Sequence, residues 1–500
     1  MKLSNEFLFL ALLLLFTSLV SFYNLGAEPL WLDEAISVRQ AQAGFSEGMT
    51  LLSGDVHLPL HHVLLWTQVH LFGISEFSVR FLSALFGVLA VGSLYVLGKK
   101  LYSKRVGFLA AALLAFSTLG VYYVQEARLY SLFMFLSVAS LLAFFTYVEK
   151  PTKRNAVYYF VATVLLMYTH IFAFFIIGAQ FVYYLLVHVK NRKKTLRWLL
   201  LHSLLFVAFL PWLPILYRQI FSVIGHFWIP QPTLVSLLIS FHEFSGSLLI
   251  VLAIFCIILA YSYFVYRKKI VETRTSFFLF SWLVIPFFVV FIYSQFFTPL
   301  YQTRYFLFAL PIFYLLLSVG IDRVCSCVKN NWLFPVISLV FVLLFVIALA
   351  PQQTTLSKDD WRSISAFLKE QVGEDDYIFI HPFYHQDPFT YYFDQDCFSQ
   401  TNVYVCNFEK HNIVSLNNQT SCCSDDSLLT STLEQNTLSD FLTNTIWLVS
   451  VRSTEYVVDP GLFNYLSEQK SLEKHYVFTA NHDNRTVISD WGTIDVWKFS

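Results

Sequence analysis

Apolar residues in this chain come in long unbroken runs, not in the alternating pattern of half-buried strands or the heptads of coiled coils. Eleven runs approach the ~20 residues an α-helix needs to cross a hydrocarbon core of about 30 Å. They cover roughly 6–25, 78–98, 106–124, 129–148, 156–169, 171–189, 197–216, 247–266, 277–297, 303–322 and 333–350. The pattern predicts a polytopic α-helical membrane protein with about 11 transmembrane helices. One further apolar stretch, Leu58 to Phe72, is short for a span and carries His61, His62, Gln68 and His70. It reads as an amphipathic helix lying in the outer interface. With a second interfacial helix expected over Glu34 to Ala43, residues 27–77 become one long outer loop.

Basic residues orient these spans, because cytoplasmic loops are enriched in Lys and Arg. With the N-terminus inside, nineteen basic residues fall on the cytoplasmic side, among them Lys99, Lys100, Lys104 and Arg105. On the other face of the first 350 residues lie Arg39, Arg80, Arg128, Arg218 and Arg304, and no lysine. The run from Phe7 to Phe22 is expected to be an uncleaved first span: one lysine precedes it and no A-x-A-like cleavage site follows. The expected location is the plasma membrane or an endomembrane, multi-pass, with a cytoplasmic N-terminus.

From Pro351 the pattern changes. Polar residues return, Asp360 to Gln371 has helical periodicity, and strand-like runs appear at 377–380, 445–451, 476–478 and 486–489. A C-terminal α/β domain over 351–500 is expected, and eleven spans put it outside the cytoplasm. The transmembrane domain then covers 1–350. Cys397, Cys406, Cys422 and Cys423 are even in number and permit two disulfides in three pairings. The sequons at Asn418 and Asn484 agree with an outer location but are short enough to arise by chance.

Composition narrows the classes. The chain is 56% hydrophobic and 13% charged with no net charge, which gives no support for a nucleic-acid partner. No Walker-type or dinucleotide glycine pattern is present, which argues against a nucleotide-driven pump.

Charge beside a bilayer is costly and by default marks a site. Here the unusual polar groups gather on the outer face: Asp33, Glu34, Asp55 and His57, then Gln125 to Tyr130 with Glu126 and Arg128. His170 follows in a short turn, then Arg218, His226, Trp228, His242 and Glu243, and finally Tyr301 to Tyr305 with Arg304. A carboxylate at this boundary can act as general base for a hydroxyl. Sparse arginines can hold a phosphate bidentately, and Tyr130, Trp228 or Tyr301 can stack on a sugar ring. The set suits transfer of a group from a lipid phosphate. Each residue also has an ordinary role open to it: Asp33 as a helix cap, Glu126 and Arg128 as an interfacial ion pair, Arg304 as a snorkelling anchor. A lipid or solute transporter is the alternative, but the span interiors are nearly free of charge, and no matched pair of broken spans recurs in two halves.

The order of motifs resembles the GT-C glycosyltransferases, and most of all glycosyltransferase family 39, which includes protein O-mannosyltransferases and the aminoarabinose transferase of lipid A. The resemblance rests on Trp31-Leu32-Asp33-Glu34, His57-Leu58-Pro59-Leu60, Leu71 to Arg80, Ala110 to Tyr130, Tyr168-Thr169-His170, Gln302 to Pro311 and Asp359-Asp360-Trp361-Arg362. Leu58 stands where the family's His-Pro-Pro-Leu motif has a proline. The resemblance implies an inverting enzyme that takes sugar from a polyprenyl-phosphate donor, in contact with membrane lipid, to a hydroxyl acceptor on the outer or lumenal face. It implies Asp33 as catalytic base beside Glu34, with Glu34 and Glu126 orienting hydroxyls. Arg128 and Arg304 are the implied phosphate contacts, and His57, Tyr130 and His170 complete the expected substrate site. No cofactor is required; a divalent metal is not implied, and the lone carboxylates form no obvious Mg²⁺ site.

Overall fold

The computed structural model describes residues 5–224, 228–267, 274–328, 330–354, 358–373, 375–399, 405–407, 412–415, 444–451, 463, 466–467, 470–479 and 493–500. His226, Cys422, Cys423, both sequons and the 486–489 run lie outside the described residues. The chain forms two compact units. One comprises Met1–Leu25, Ser46–Leu71 and Phe77–Gln353; the other comprises Gly26–Phe45, Phe72–Glu76 and Thr354–Ser500.

In chain order the first seventeen helices are α1 (Asn5–Phe22), α2 (Leu32–Gln42), α3 (Phe45–Gly54), α4 (Pro59–Phe72), α5 (Glu76–Leu101), α6 (Lys104–Ala115), α7 (Thr118–Val124), α8 (Tyr130–Glu149), α9 (Lys153–Met167), α10 (Ala173–His188), α11 (Arg192–Phe209), α12 (Leu213–Val223), α13 (Leu234–Ser245), α14 (Leu248–Tyr266), α15 (Arg274–Phe296), α16 (Leu310–Val328) and α17 (Leu333–Leu349). A 3-10 segment, Thr303–Ala309, leads into α16. All eleven apolar runs of the sequence fold as helix. Among the described residues eight stretches are long and apolar enough to cross a membrane, or nine with the bent α6–α7 pair taken as one span. The remaining two, α9 and α10, have 15 and 16 residues.

Burial explains why these helices need lipid. α1, α14 and α17 expose rows of large apolar side chains, among them Phe9, Leu19, Leu249, Phe255, Leu339 and Ile347. In water such a surface would drive aggregation. α8 and α16, by contrast, sit in the packed core. The chain is thus a multi-pass membrane protein.

Two local devices shape this unit. Between α6 and α7 the chain turns by 62°, where buried Ser117 accepts from the Gly120 N–H at 3.0 Å and so restarts the helix as an N-cap. Tyr314 of α16 donates to the same hydroxyl at 2.7 Å. α5 and α6 cross at Gly98 and Gly107, where a Cβ on Gly98 would fall 2.7 Å from the Gly107 Cα. Only glycine lets two backbones approach so closely.

The second unit is built on a six-stranded sheet of β1 (Tyr377–His381), β2 (Val405–Asn407), β3 (Asn412–Ser415), β4 (Ile446–Val451), β5 (Leu472–Thr479) and β6 (Thr493–Phe499). The order is β2-β3-β1-β4-β6-β5, with β3, β1 and β4 parallel. Every residue of β1 and β4 is buried, as expected of parallel strands covered on both faces. Ile378, Ile380, Trp447 and Val449 share one core with Trp361, Ile364 and Leu368 of α18 (Trp361–Gln371), while Tyr377, Phe379, Ile446 and Leu448 line the other. α18 is capped by Asp360, whose side chain accepts from the Ser363 N–H at 3.1 Å. Helices α19 (Gln386–Phe393) and α20 (Gln395–Phe398) follow β1, and Cys397 at the end of α20 is disulfide-bonded.

Candidate functional site

Within the helical unit four separate segments bring the expected substrate residues together. The first is the loop before α4. Its His57 is held by Gln219 of α12, which donates to the Leu52 and His57 carbonyls at 3.2 and 3.1 Å. The second is the turn between α7 and α8, where Glu126, Ala127, Arg128 and Tyr130 are all buried. Turns normally lie on the surface; this one is drawn tight by the Arg128 N–H donating to the Glu126 carbonyl at 2.7 Å. Ser83 of α5 donates to the Arg128 carbonyl at 3.2 Å and anchors the turn.

Arg128 Nη2 lies 2.7 Å from His57 Nε2. A guanidinium has no acceptor, so it must donate, and the His57 proton must sit on Nδ1. His57 is therefore neutral while this bond is made. His170, in the third segment between α9 and α10, is also neutral. Burial first, and then the Arg304 charge nearby, push its pKa down to about 3. Its Nδ1 accepts from the Phe172 N–H at 3.0 Å, which leaves the proton on Nε2 as a donor. The ring is stacked on Phe133 at 4.8 Å, with Tyr305 at 5.4 Å.

Arg304 supplies the fourth segment. It stands at the start of the 3-10 turn with its guanidinium 5.2 Å from the Trp228 ring and 5.7 Å from that of Tyr305. Such faces hold the fork flat without consuming its donors. Tyr123 of α7 lies in coulombic range of both Glu126 and Arg304 and packs edge-on against Tyr130 at 5.0 Å. With both histidines neutral, positive charge at this site comes from Arg128 and Arg304.

The acidic pair belongs to the second unit. α2 begins at Leu32, with Trp31 as its N-cap. Asp33 therefore stands inside the first turn and is not the cap residue that the sequence allowed for. The two carboxylates have different surroundings. Glu34 is fully buried, its Oε2 reaching back to the Trp31 N–H at 3.5 Å and taking Lys358 Nζ at 3.0 Å. Asp33 is only half-buried, on the first turn, where the helix dipole favours an anion.

Sequence reasoning passed over Gln219, Lys358 and the Arg39–Asp387 pair at 2.7 Å. A polar Gln in apolar α12 was a readable signal, and so was a Lys beside Asp359-Asp360-Trp361-Arg362. Arg39 carried none beyond its charge. Among the described residues no group of three His, Cys, Asp or Glu side chains is arranged to hold a metal ion.

Asp359, next to Lys358, has its pKa raised to about 6 by burial. A carboxyl raised above its unfolded value of about 3.9 opposes folding progressively as pH climbs from about 4 to 6, and the penalty is then level. Asp359→Asn is thus expected to add about 3 kcal/mol at pH 7.5 and about 0.5 kcal/mol or less at pH 4. Thermal unfolding of both proteins at the two pH values checks this; an equal gain at each would contradict it.

Residues 56–217 match the family described as dolichyl-phosphate-mannose-protein mannosyltransferase. No match was found among curated proteins. Among solved structures, ArnT from Cupriavidus metallidurans in the apo state is 14% identical, with 98% of this chain and 97% of that chain covered and a TM-score of 0.58. The same protein bound to undecaprenyl phosphate is 15% identical over the same coverage, TM-score 0.55. The oligosaccharyltransferase AglB from Archaeoglobus fulgidus, in complex with an inhibitory peptide and a dolichol-phosphate, is 13% identical over 88% of this chain and 69% of that chain, TM-score 0.51. The fold is therefore the GT-C fold, of the kind seen in ArnT.

Proposed function

We propose that this protein is a polyprenyl-phosphate-dependent glycosyltransferase that moves a sugar to a hydroxyl acceptor on the outer or lumenal face, with inversion at C1. The observation that carries the reading is the convergence of Arg128 and Arg304 with the neutral donors His57 and His170, on four segments of the helical unit. Two guanidinium forks, one of them beside the rings of Trp228 and Tyr305, suit a phosphate monoanion or diester at the membrane boundary. The undecaprenyl phosphate and dolichol-phosphate held by proteins of the same fold support that choice of ligand.

Asp33 is the base. It removes the acceptor hydroxyl proton as that oxygen bonds to C1; the C1–O bond to phosphate breaks, and its electron pair leaves on the phosphate. A phosphate monoester is already acidic, so no strong general acid is needed. Arg128 and Arg304 take the charge that develops there. Glu126 and Tyr130 orient the sugar, and Glu34 holds the helix that bears the base. The N-terminus is cytoplasmic, residues 1–350 form the membrane domain and 351–500 an extracytoplasmic domain; the reaction needs no cofactor.

The test is purified protein in detergent with radiolabelled polyprenyl-phosphate mannose and related donors, with hydroxyl-bearing peptide, lipid and glycan acceptors. Product carrying label with inverted anomeric configuration supports the reading. Failure to consume any donor, with folded protein and every acceptor class, overturns it.

A further inference from the structure

The segments that bear the acidic pair, Gly26–Phe45 and Phe72–Glu76, fold as part of the same compact unit as Thr354–Ser500. Their attachment is specific. Arg39 pairs with Asp387 at 2.7 Å. The Leu30 N–H donates to Tyr392 Oη at 2.8 Å. Arg362 donates to the Ala27 carbonyl at 3.1 Å and pairs with Glu76 at 2.6 Å. Tyr391 donates to the Ile74 carbonyl at 2.6 Å.

One contact differs from the rest. The Lys358 and Glu34 side chains, 3.0 Å apart, are 3% and 0% exposed, whereas Arg39 and Arg362 still reach solvent. Burying both charges costs several kcal/mol each, so the pair is a poor way to gain stability over an apolar contact. Removing only one partner, however, leaves a buried uncompensated charge. Such a pair fixes position, and what it fixes is the first turn of α2, one residue from Asp33. Glu34 also closes that turn through the Trp31 N–H.

We infer that Lys358 is a positioning residue for catalysis. Through Glu34 it sets the place and the electrostatic surroundings of Asp33, so the C-terminal unit is part of the catalytic machinery and more than a cover or an acceptor clamp. This rests on the reading of Asp33 as base. Among the described residues, ion pairs place Lys358, Arg39 and Asp387 at α2 and Arg362 and Glu76 at the neighbouring segment, and Asp359 adjoins Lys358 in the chain. Of these, Lys358 is the cation on Glu34.

The experiment uses the full chain in detergent and compares wild type, Lys358→Met and Lys358→Arg by kcat and KM for the donor across pH. Lys358→Met is expected to lower kcat at least about tenfold with the donor KM unchanged. It should also move the acid limb of kcat/KM up by about one unit, because Glu34 beside the base loses its cation and its charge then opposes ionisation of the base. Lys358→Arg keeps the charge and should keep the limb. A merely structural loosening lowers the rate at every pH and leaves the limb in place, which would overturn the inference, as would wild-type kcat in Lys358→Met. Hydrogen exchange of residues 32–42 gives a readout that needs no turnover: faster exchange in Lys358→Met and wild-type protection in Lys358→Arg are expected, and unchanged protection in both overturns it. Asp33→Asn in the same assay separates the two ideas. If it retains activity, the base assignment has failed; if it is inactive while Lys358→Met behaves as wild type, only the positioning role has.

Discussion

Asp33→Asn is expected to reduce sugar transfer by about 10³-fold while leaving the protein folded and able to bind a polyprenyl phosphate. The reason is that the amide keeps the size and the place on α2 but cannot accept the hydroxyl proton. Asp33 is half-buried on the first turn of α2, whereas Glu34 is sealed and already committed to Lys358 and the Trp31 N–H. Glu34→Gln should therefore behave differently, with weaker exchange protection over α2 and a smaller loss of transfer. The measurement is initial rate with labelled donor together with the thermal unfolding midpoint. Residual activity within tenfold of wild type in Asp33→Asn would move the base elsewhere.

Arg128→Lys should be nearly as damaging, despite keeping the charge. Its guanidinium donates to His57 Nε2 at 2.7 Å, and the same planar fork is proposed to take the donor phosphate. An ammonium cannot serve both in a fixed plane. The expected loss is about 100-fold in kcat/KM for the donor, the cost of breaking one buried charge-assisted contact. Retention of labelled polyprenyl phosphate by the purified variant should fall in parallel, in contrast to Asp33→Asn. Normal lipid-phosphate retention in both Arg128→Lys and Arg304→Ala would remove the phosphate from this site.

Much of the architecture was legible along the chain. An apolar run near 20 residues in length has no stable alternative to a buried or lipid-facing helix, because unpaired backbone groups cannot enter hydrocarbon. That is why α1, α5, α8 and α14 to α17 stand where the runs predicted them. The α/β character of the C-terminal residues was legible for a similar reason: the 377–380 and 445–451 runs are continuous apolar strands, and Asp360 is a readable cap. Boundaries that depend on neighbours were not. α2 starts at Leu32 because Glu34 reaches back to the Trp31 N–H, a choice local propensity could not make against a capping Asp33. The 62° turn at Ser117 needed Tyr314, nearly 200 residues away in the chain.

By itself, then, the order of apolar runs, Lys and Arg positions and polar exceptions determined the class: a multi-pass membrane protein with unusual polar groups at Asp33-Glu34, Glu126-Arg128, His170 and Arg304. Those are local properties, set by the cost of putting each residue type in lipid. Tertiary structure alone decided the electrical state and duty of each group. His170 is neutral because Phe172 and burial make it so; His57 is neutral because Arg128 requires its lone pair. Of two adjacent carboxylates, one is fully buried against a lysine 324 positions away and one is half-buried. Protonation and pairing depend on what lies within a few ångströms, and only the folded chain brings those partners there.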